Sequence, residues 1–153
     1  MKRLLFAALS VALLSSALPY HRPEPVVNPR DPILQGPEAA ALKTGAPEAT
    51  IRGIRWTESS GSPNPKHIDP LDRGAYGLHE DPRYHAERAR KYGEYDALDP
   101  YDAAYITGRL YADALAALGD PDAATCAHKQ GIAGVKRDGP LGWYLERVKH
   151  GCP

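Results

Sequence analysis

The sequence has no net charge and no long apolar run, and each absence argues against a class of protein. Its 153 residues include 19 basic and 19 acidic side chains, whereas a dedicated nucleic-acid-binding protein needs a basic surplus to contact phosphates. The main apolar run covers only residues 4–14, and a transmembrane helix needs about 20 such residues. We therefore expect no nucleic-acid partner and no stable membrane insertion once the N-terminal segment is cleaved.

That short apolar run predicts export. Lys2 and Arg3 precede it, and the small residues Ser15-Ser16-Ala17 follow, so residues 1–17 are typical of a secretory signal peptide. The alternative is an uncleaved N-terminal anchor. No cysteine follows the run directly, which argues against lipid attachment. The predicted location is the periplasm or the extracellular space.

Cysteine is scarce. The chain has only Cys126 and Cys152, and they lack the spacing of a metal knuckle or a redox pair. An even count in an exported chain favours a disulfide between Cys126 and Cys152, which would tie the end of the chain to the preceding helix. Two free thiols are the alternative.

Proline divides the chain into two parts. Residues 18–47 contain seven prolines, which remove backbone donors and block long helices. We expect an extended linker there, with at most one short helix around Ala39 to Leu42, and a compact domain over residues 48–153.

Beyond the linker the sequence predicts a predominantly α, single-domain fold, because no stretch alternates for long as a strand does. An Asp-Pro pair places an N-cap before the first helical residue, and three such pairs begin at Asp81, Asp99 and Asp120. The predicted helices cover residues 48–59, 83–92, 101–118, 122–130 and about 140–149. The third carries a regular apolar stripe, and the Gly-rich stretch 131–142 is expected to be a flexible wall of a groove.

The segment at the end of the first predicted helix carries the functional signal. Trp56-Thr57-Glu58-Ser59-Ser60-Gly61-Ser62-Pro63-Asn64-Pro65, followed by Gly74-Ala75-Tyr76-Gly77-Leu78, resembles the Glu-Ser motif and the Gly-Ala-x-Gly-Leu segment of soluble lytic transglycosylases. Later stretches resemble that family's remaining helices in the same order, and they include Gly108 to Ala112, Ala123 to Gly131 and Trp143 to Val148.

The resemblance implies a lysozyme-like fold and a peptidoglycan-cleaving glycosidase. Glu58 would be the single catalytic acid and base, and the MurNAc-GlcNAc bond of glycan strands the target. The residues expected to contact substrate or orient the acid are Ser59, Glu80, Lys129 and Tyr144. The family uses no cofactor, and we expect none here, no metal and a monomeric chain.

Two positions depart from the family pattern. His79-Glu80 stands where the family has Met-Gln, and His128-Lys129 stands where it has Tyr-Asn. These departures keep open a catalytically inert lysozyme-like domain that binds peptidoglycan or serves envelope assembly. A small secreted inhibitor or toxin is a further alternative.

Other chemistries lack their residue patterns. His79-Glu80 has no second histidine at the spacing of a zinc protease. Ser59 lacks a nucleophile-elbow glycine pattern, and the Gly131 to Gly142 stretch lacks the Lys-Ser/Thr ending of a phosphate loop.

Overall fold

The computed structural model describes residues 36–62 and 65–151, and this part of the chain is predominantly α, as predicted. The predicted signal peptide and most of the predicted linker lie outside the described residues. The helices are α1 (Glu38–Leu42), α2 (Glu48–Ser59), α3 (Pro82–Tyr92), α4 (Pro100–Leu118), α5 (Pro121–Asp138) and α6 (Gly142–His150), and a hairpin joins β1 (Asp72–Arg73) to β2 (Leu78–His79).

The Asp-Pro pairs begin three helices, as predicted. Asp81, Asp99 and Asp120 each accept a hydrogen bond from a backbone N–H of the first turn, and a proline follows each of them. The cap satisfies a donor that the helix leaves unpaired, and the proline occupies a position that needs no N–H. These local signals explain why the predicted bounds of α3 and α4 differ from the observed ones by a single residue.

Helix α4 lies at the centre of the described body and packs against α1 and α5, while α2 packs against α6. The α2–α6 contact depends on Gly53, since a Cβ there would lie 2.1 Å from the carbonyl oxygen of Val148. The two helices therefore approach backbone to backbone, and the end of α2 lies near the start of α6. Ile51, Ile54 and Tyr144 are fully buried in the same core.

The packed body includes α1, which precedes the predicted domain start near Pro47. Ala40 and Ala41 are buried. Glu38 is also buried, where its Oε1 accepts hydrogen bonds from Arg55 Nη1 at 2.9 Å and from Tyr76 Oη at 3.1 Å. This polar cluster joins α1 to α2 and to the hairpin loop. Burial, with Glu38 adding to it, raises the pKa of Tyr76.

The structure differs from the sequence-based prediction at three further places. The hairpin was not predicted; it pairs Asp72 with His79 and Arg73 with Leu78, and two residues per strand are too few to alternate visibly. Helix α5 does not end at Gly131: that residue breaks the helix with φ 68° and ψ 160°, and helical geometry resumes up to Asp138. The last helix starts at Gly142 rather than near Pro140.

Among the residues described, no helix combines the length and the apolar character needed to cross a membrane.

Candidate functional site

Glu58 lies one residue before the end of α2, and the local sequence fixes that end. Ser60 adopts left-handed geometry with φ 50° and donates its backbone N–H to the carbonyl of Trp56. The Ser59 hydroxyl donates to the carbonyl of Arg55 at 2.7 Å, and Ser59 is buried. Ser59 therefore caps its own helix instead of facing the space beside Glu58. Its predicted contact with substrate has no support in this geometry.

The Glu58 carboxylate is nearly enclosed. Only 8% of its side chain is exposed, and its Oε1 accepts a hydrogen bond from the Tyr144 hydroxyl at 2.9 Å. On another side lies Gly77, where a Cβ would be 2.9 Å from Oε2. The structure thus brings together two residues that are 86 positions apart in the chain and that the sequence analysis paired.

Tyr144 is held in its protonated form. Its ring is fully buried at the start of α6, and burial raises the pKa of the hydroxyl well above its ordinary value, with the charge of Glu58 and its hydrogen bond adding to the shift. A phenol that stays protonated donates permanently to Glu58 Oε1. Tyr144 therefore orients the carboxyl group.

A cavity of about 250 Å³ opens beside Glu58. Lys129 lines it, with its Nζ 3.7 Å from Glu58 Oε2 and its side chain 41% exposed. A loose contact to an exposed ammonium leaves the lysine able to move to an incoming anion. The walls come from the end of α2, the hairpin and α5, and the other lining residues are Asp69, Asp72, Gly77, Leu78, His79, Arg88, Leu110 and His128.

His128 lines both this cavity and a second one of about 280 Å³, as Arg88 and Leu110 also do. Its Nε2 is 2.8 Å from the carbonyl oxygen of Tyr76, and a carbonyl only accepts, so Nε2 carries the proton. Burial lowers the pKa of the imidazole, and Glu58 opposes that shift. His128 is therefore a neutral wall residue at the junction of the two cavities.

The Glu80 carboxylate takes part in a hydrogen-bond network away from the cavity. Its carboxylate accepts from His85 Nδ1 at 2.5 Å, from Arg88 Nη2 at 2.6 Å and from Tyr95 Oη at 2.8 Å. It does not line the cavity beside Glu58. This network connects the end of β2 to α3. Glu80 therefore has a structural role, which the sequence around it does not indicate.

The hairpin supplies residues that the sequence analysis did not select. His79 Nδ1 donates to Asp72 Oδ1 at 3.0 Å and lies 3.8 Å from Asp69 Oδ2. Potential ligand atoms of the three residues lie within 4.8 Å of one another, close enough to share a cation. The only available signal was a short turn with two glycines between Asp72 and His79.

The predicted disulfide is not formed in the part of the chain that the structure describes. Cys126 is a free thiol with no exposed surface, and its Sγ lies 3.5 Å from the carbonyl oxygen of Leu141. Its predicted partner, Cys152, lies outside the described residues. Burial raises the pKa of the Cys126 thiol, which disfavours the reactive thiolate.

Comparison with known proteins gave no match to a family model, a curated protein or a solved structure.

Proposed function

We propose that this chain is an exported peptidoglycan lytic transglycosylase with a lysozyme-like fold, acting in the periplasm or outside the cell. The observation that carries the proposal is the pairing of Glu58 with Tyr144. An almost enclosed carboxylate, held by a permanent donor at 2.9 Å, stands at the wall of a cavity. The ordered resemblance of the surrounding segments to lytic transglycosylases gives this arrangement its chemistry.

In the proposed reaction Glu58 acts twice. As an acid it gives its proton to the oxygen that leaves as the bond from C1 of the muramic acid breaks. As a carboxylate it then takes the proton of the 6-hydroxyl of the same sugar while that oxygen bonds to C1. The products are a free 4-hydroxyl and a 1,6-anhydro ring, and Glu58 ends protonated as it began.

In this proposal Tyr144 orients the acid and Lys129 binds the substrate. Tyr144 keeps one carboxyl oxygen of Glu58 fixed, which leaves Oε2 on the side of Lys129. Lys129, exposed and only loosely paired, would bind a carboxylate of the substrate. Peptidoglycan carries free carboxylates on its stem peptides.

Two variants test the proposal on purified sacculi, with released muropeptides read by mass spectrometry. Glu58→Gln keeps the shape of the side chain but cannot give up a proton, so anhydromuropeptide release should fall at least about a hundredfold, the usual contribution of a general acid. Tyr144→Phe should lower release by a smaller factor, because the acid remains and only its orientation suffers. Lys136→Ala, an exposed change on α5, serves as the control.

An inert lysozyme-like domain is the second candidate. It is favoured by Glu80, whose carboxylate is used in the network with His85, Arg88 and Tyr95 and is not available to a glycan. Binding of the wild-type protein to sacculi without any released product, or release that Glu58→Gln leaves undiminished, would refute the transglycosylase.

A further inference from the structure

The cavity beside Glu58 holds two further carboxylate groups, those of Asp69 and Asp72. Asp72, on β1, lines the same space of about 250 Å³ as Glu58. The two side chains reach it from different elements, the end of α2 and the hairpin. A reaction that relies on the Glu58 carboxylate alone does not use Asp72. The position of Asp72 on the cavity therefore needs an explanation.

Asp72 is the better placed of the two hairpin aspartates. Its side chain is 15% exposed, against 48% for Asp69. The strand register sets Asp72 opposite His79, whose Nδ1 donates to Asp72 Oδ1 at 3.0 Å. Asp69 instead caps the turn that follows it, with its Oδ1 accepting from the N–H of Leu71 at 2.9 Å.

Two carboxylates on one cavity are the usual equipment for hydrolysis of a glycosidic bond, in which one gives a proton and the other activates water. We propose that Asp72 acts as a general base towards water, so that the enzyme releases free reducing ends beside its anhydro product. This inference rests on the proposed function of Glu58. His79 is a positioning residue for Asp72, because its proton occupies one carboxylate oxygen and fixes the group.

The proposed step balances. Glu58 gives its proton to the leaving oxygen as the bond to C1 breaks. The oxygen of water bonds to C1, and its proton passes to Asp72. Asp72 then loses that proton to solvent, and Glu58 takes one up. Water and the 6-hydroxyl of the sugar thus compete for the same C1, and Asp72 assists only water.

The test is the ratio of the two products from sacculi. Borohydride reduces a free reducing end but not an anhydro ring, so mass spectrometry after reduction counts each. For Asp72→Asn we expect reducing-end product to fall roughly a hundredfold, as for loss of a general base, while the anhydro product is kept. Asp138→Asn, which removes an exposed carboxylate away from the cavity, is the control and should keep the wild-type ratio. Asp69→Asn tests separately whether any loss of hairpin charge changes the ratio. His79→Gln should also lower the ratio of reducing-end product to anhydro product, but by a smaller factor than Asp72→Asn does.

Each other outcome overturns the inference. Wild-type protein that yields anhydro product alone refutes it and leaves the proposed function intact. An equal fall of both products in Asp72→Asn, with an unchanged circular dichroism spectrum, assigns Asp72 to a shared step. The same ratio change in Asp69→Asn shows a general effect of hairpin charge. Absence of both products from the wild-type protein refutes the proposed function and this inference with it.

Discussion

Replacing Gly77 by alanine tests the geometry of the site without assuming any activity. Gly77 has φ +58°, and an added methyl carbon would lie 2.9 Å from Glu58 Oε2 and 3.2 Å from its Cδ and Cγ. Ordinary carbon contacts are about 3.5–4.0 Å. Two costs follow. The left-handed backbone disfavours a β-carbon, and the Glu58 carboxylate must shift from the position in which it accepts the Tyr144 hydrogen bond.

Gly119→Ala separates these two costs. Gly119 has φ +70°, and nothing lies within 4 Å of the position of its Cβ. The Gly119→Ala variant should lose only the cost of placing a β-carbon on a left-handed backbone, about 1–2 kcal/mol of the free energy of unfolding. Gly77→Ala should lose about 1–2 kcal/mol more, in the range of an overpacked site whose neighbour is held by a hydrogen bond. Urea unfolding followed by circular dichroism measures both values.

A double-mutant cycle then assigns the excess to Glu58. In a Glu58→Ala background the carboxylate is gone, so Gly77→Ala should cost no more than Gly119→Ala does. The expected coupling between positions 58 and 77 is about 1 kcal/mol or more, which is typical of residues in contact. If Gly77→Ala costs the same in both backgrounds, the close approach of Gly77 to Glu58 is refuted.

Two further predictions concern buried groups near the site. Burial lowers the pKa of His128 in the folded protein, so the unfolded chain takes up a proton there first as the pH falls. The contribution of His128 to the free energy of unfolding should therefore be fully present above about pH 6.5, the ordinary pKa of histidine. It should decline below that pH. His128→Gln should flatten that decline in urea unfolding, and an unchanged pH slope would contradict the assignment. Because Cys126 is buried and unpaired, a thiol reagent should label it slowly in the native protein and fully in urea without reductant. Failure to label in urea would indicate a disulfide.

Local signals in the sequence were enough to place most helices, because caps act within a few residues of the helix start. Asp81, Asp99 and Asp120 each bond to an N–H two or three residues ahead. Helix α1 was harder to interpret. Its buried Glu38 is held by Arg55 and by Tyr76, 17 and 38 residues away, and no local pattern announces such partners. A Pro-rich segment that looks like a linker can therefore begin a packed domain.

The candidate site was predictable only in part. The pairing of Glu58 with Tyr144 came from the resemblance to lytic transglycosylases, since no periodicity links residues so far apart. The same resemblance placed Ser59 and Glu80 at the substrate, because Ser59 belongs to the Glu-Ser motif and Glu80 stands at a position that lines the groove in that family. A matching position in a motif does not fix the direction of a side chain. Each turned out to bond within the fold, Ser59 to its own helix and Glu80 to α3 and the Tyr95 hydroxyl.

Hydrogen bonds and access to the cavity distinguish Glu58, the proposed acid, from two other enclosed glutamates, Glu80 and Glu38. Glu80 accepts from three side chains, and Glu38 accepts from a guanidinium and a phenol in a closed cluster. Both carboxylates serve the fold, because their removal would leave these donors unpaired, which is costly. Within the described residues Glu58 has one neutral donor and one ammonium at 3.7 Å, and it faces a cavity. Glu58 is thus an enclosed carboxylate with few donors that faces a cavity, which is the position that the proposed acid requires.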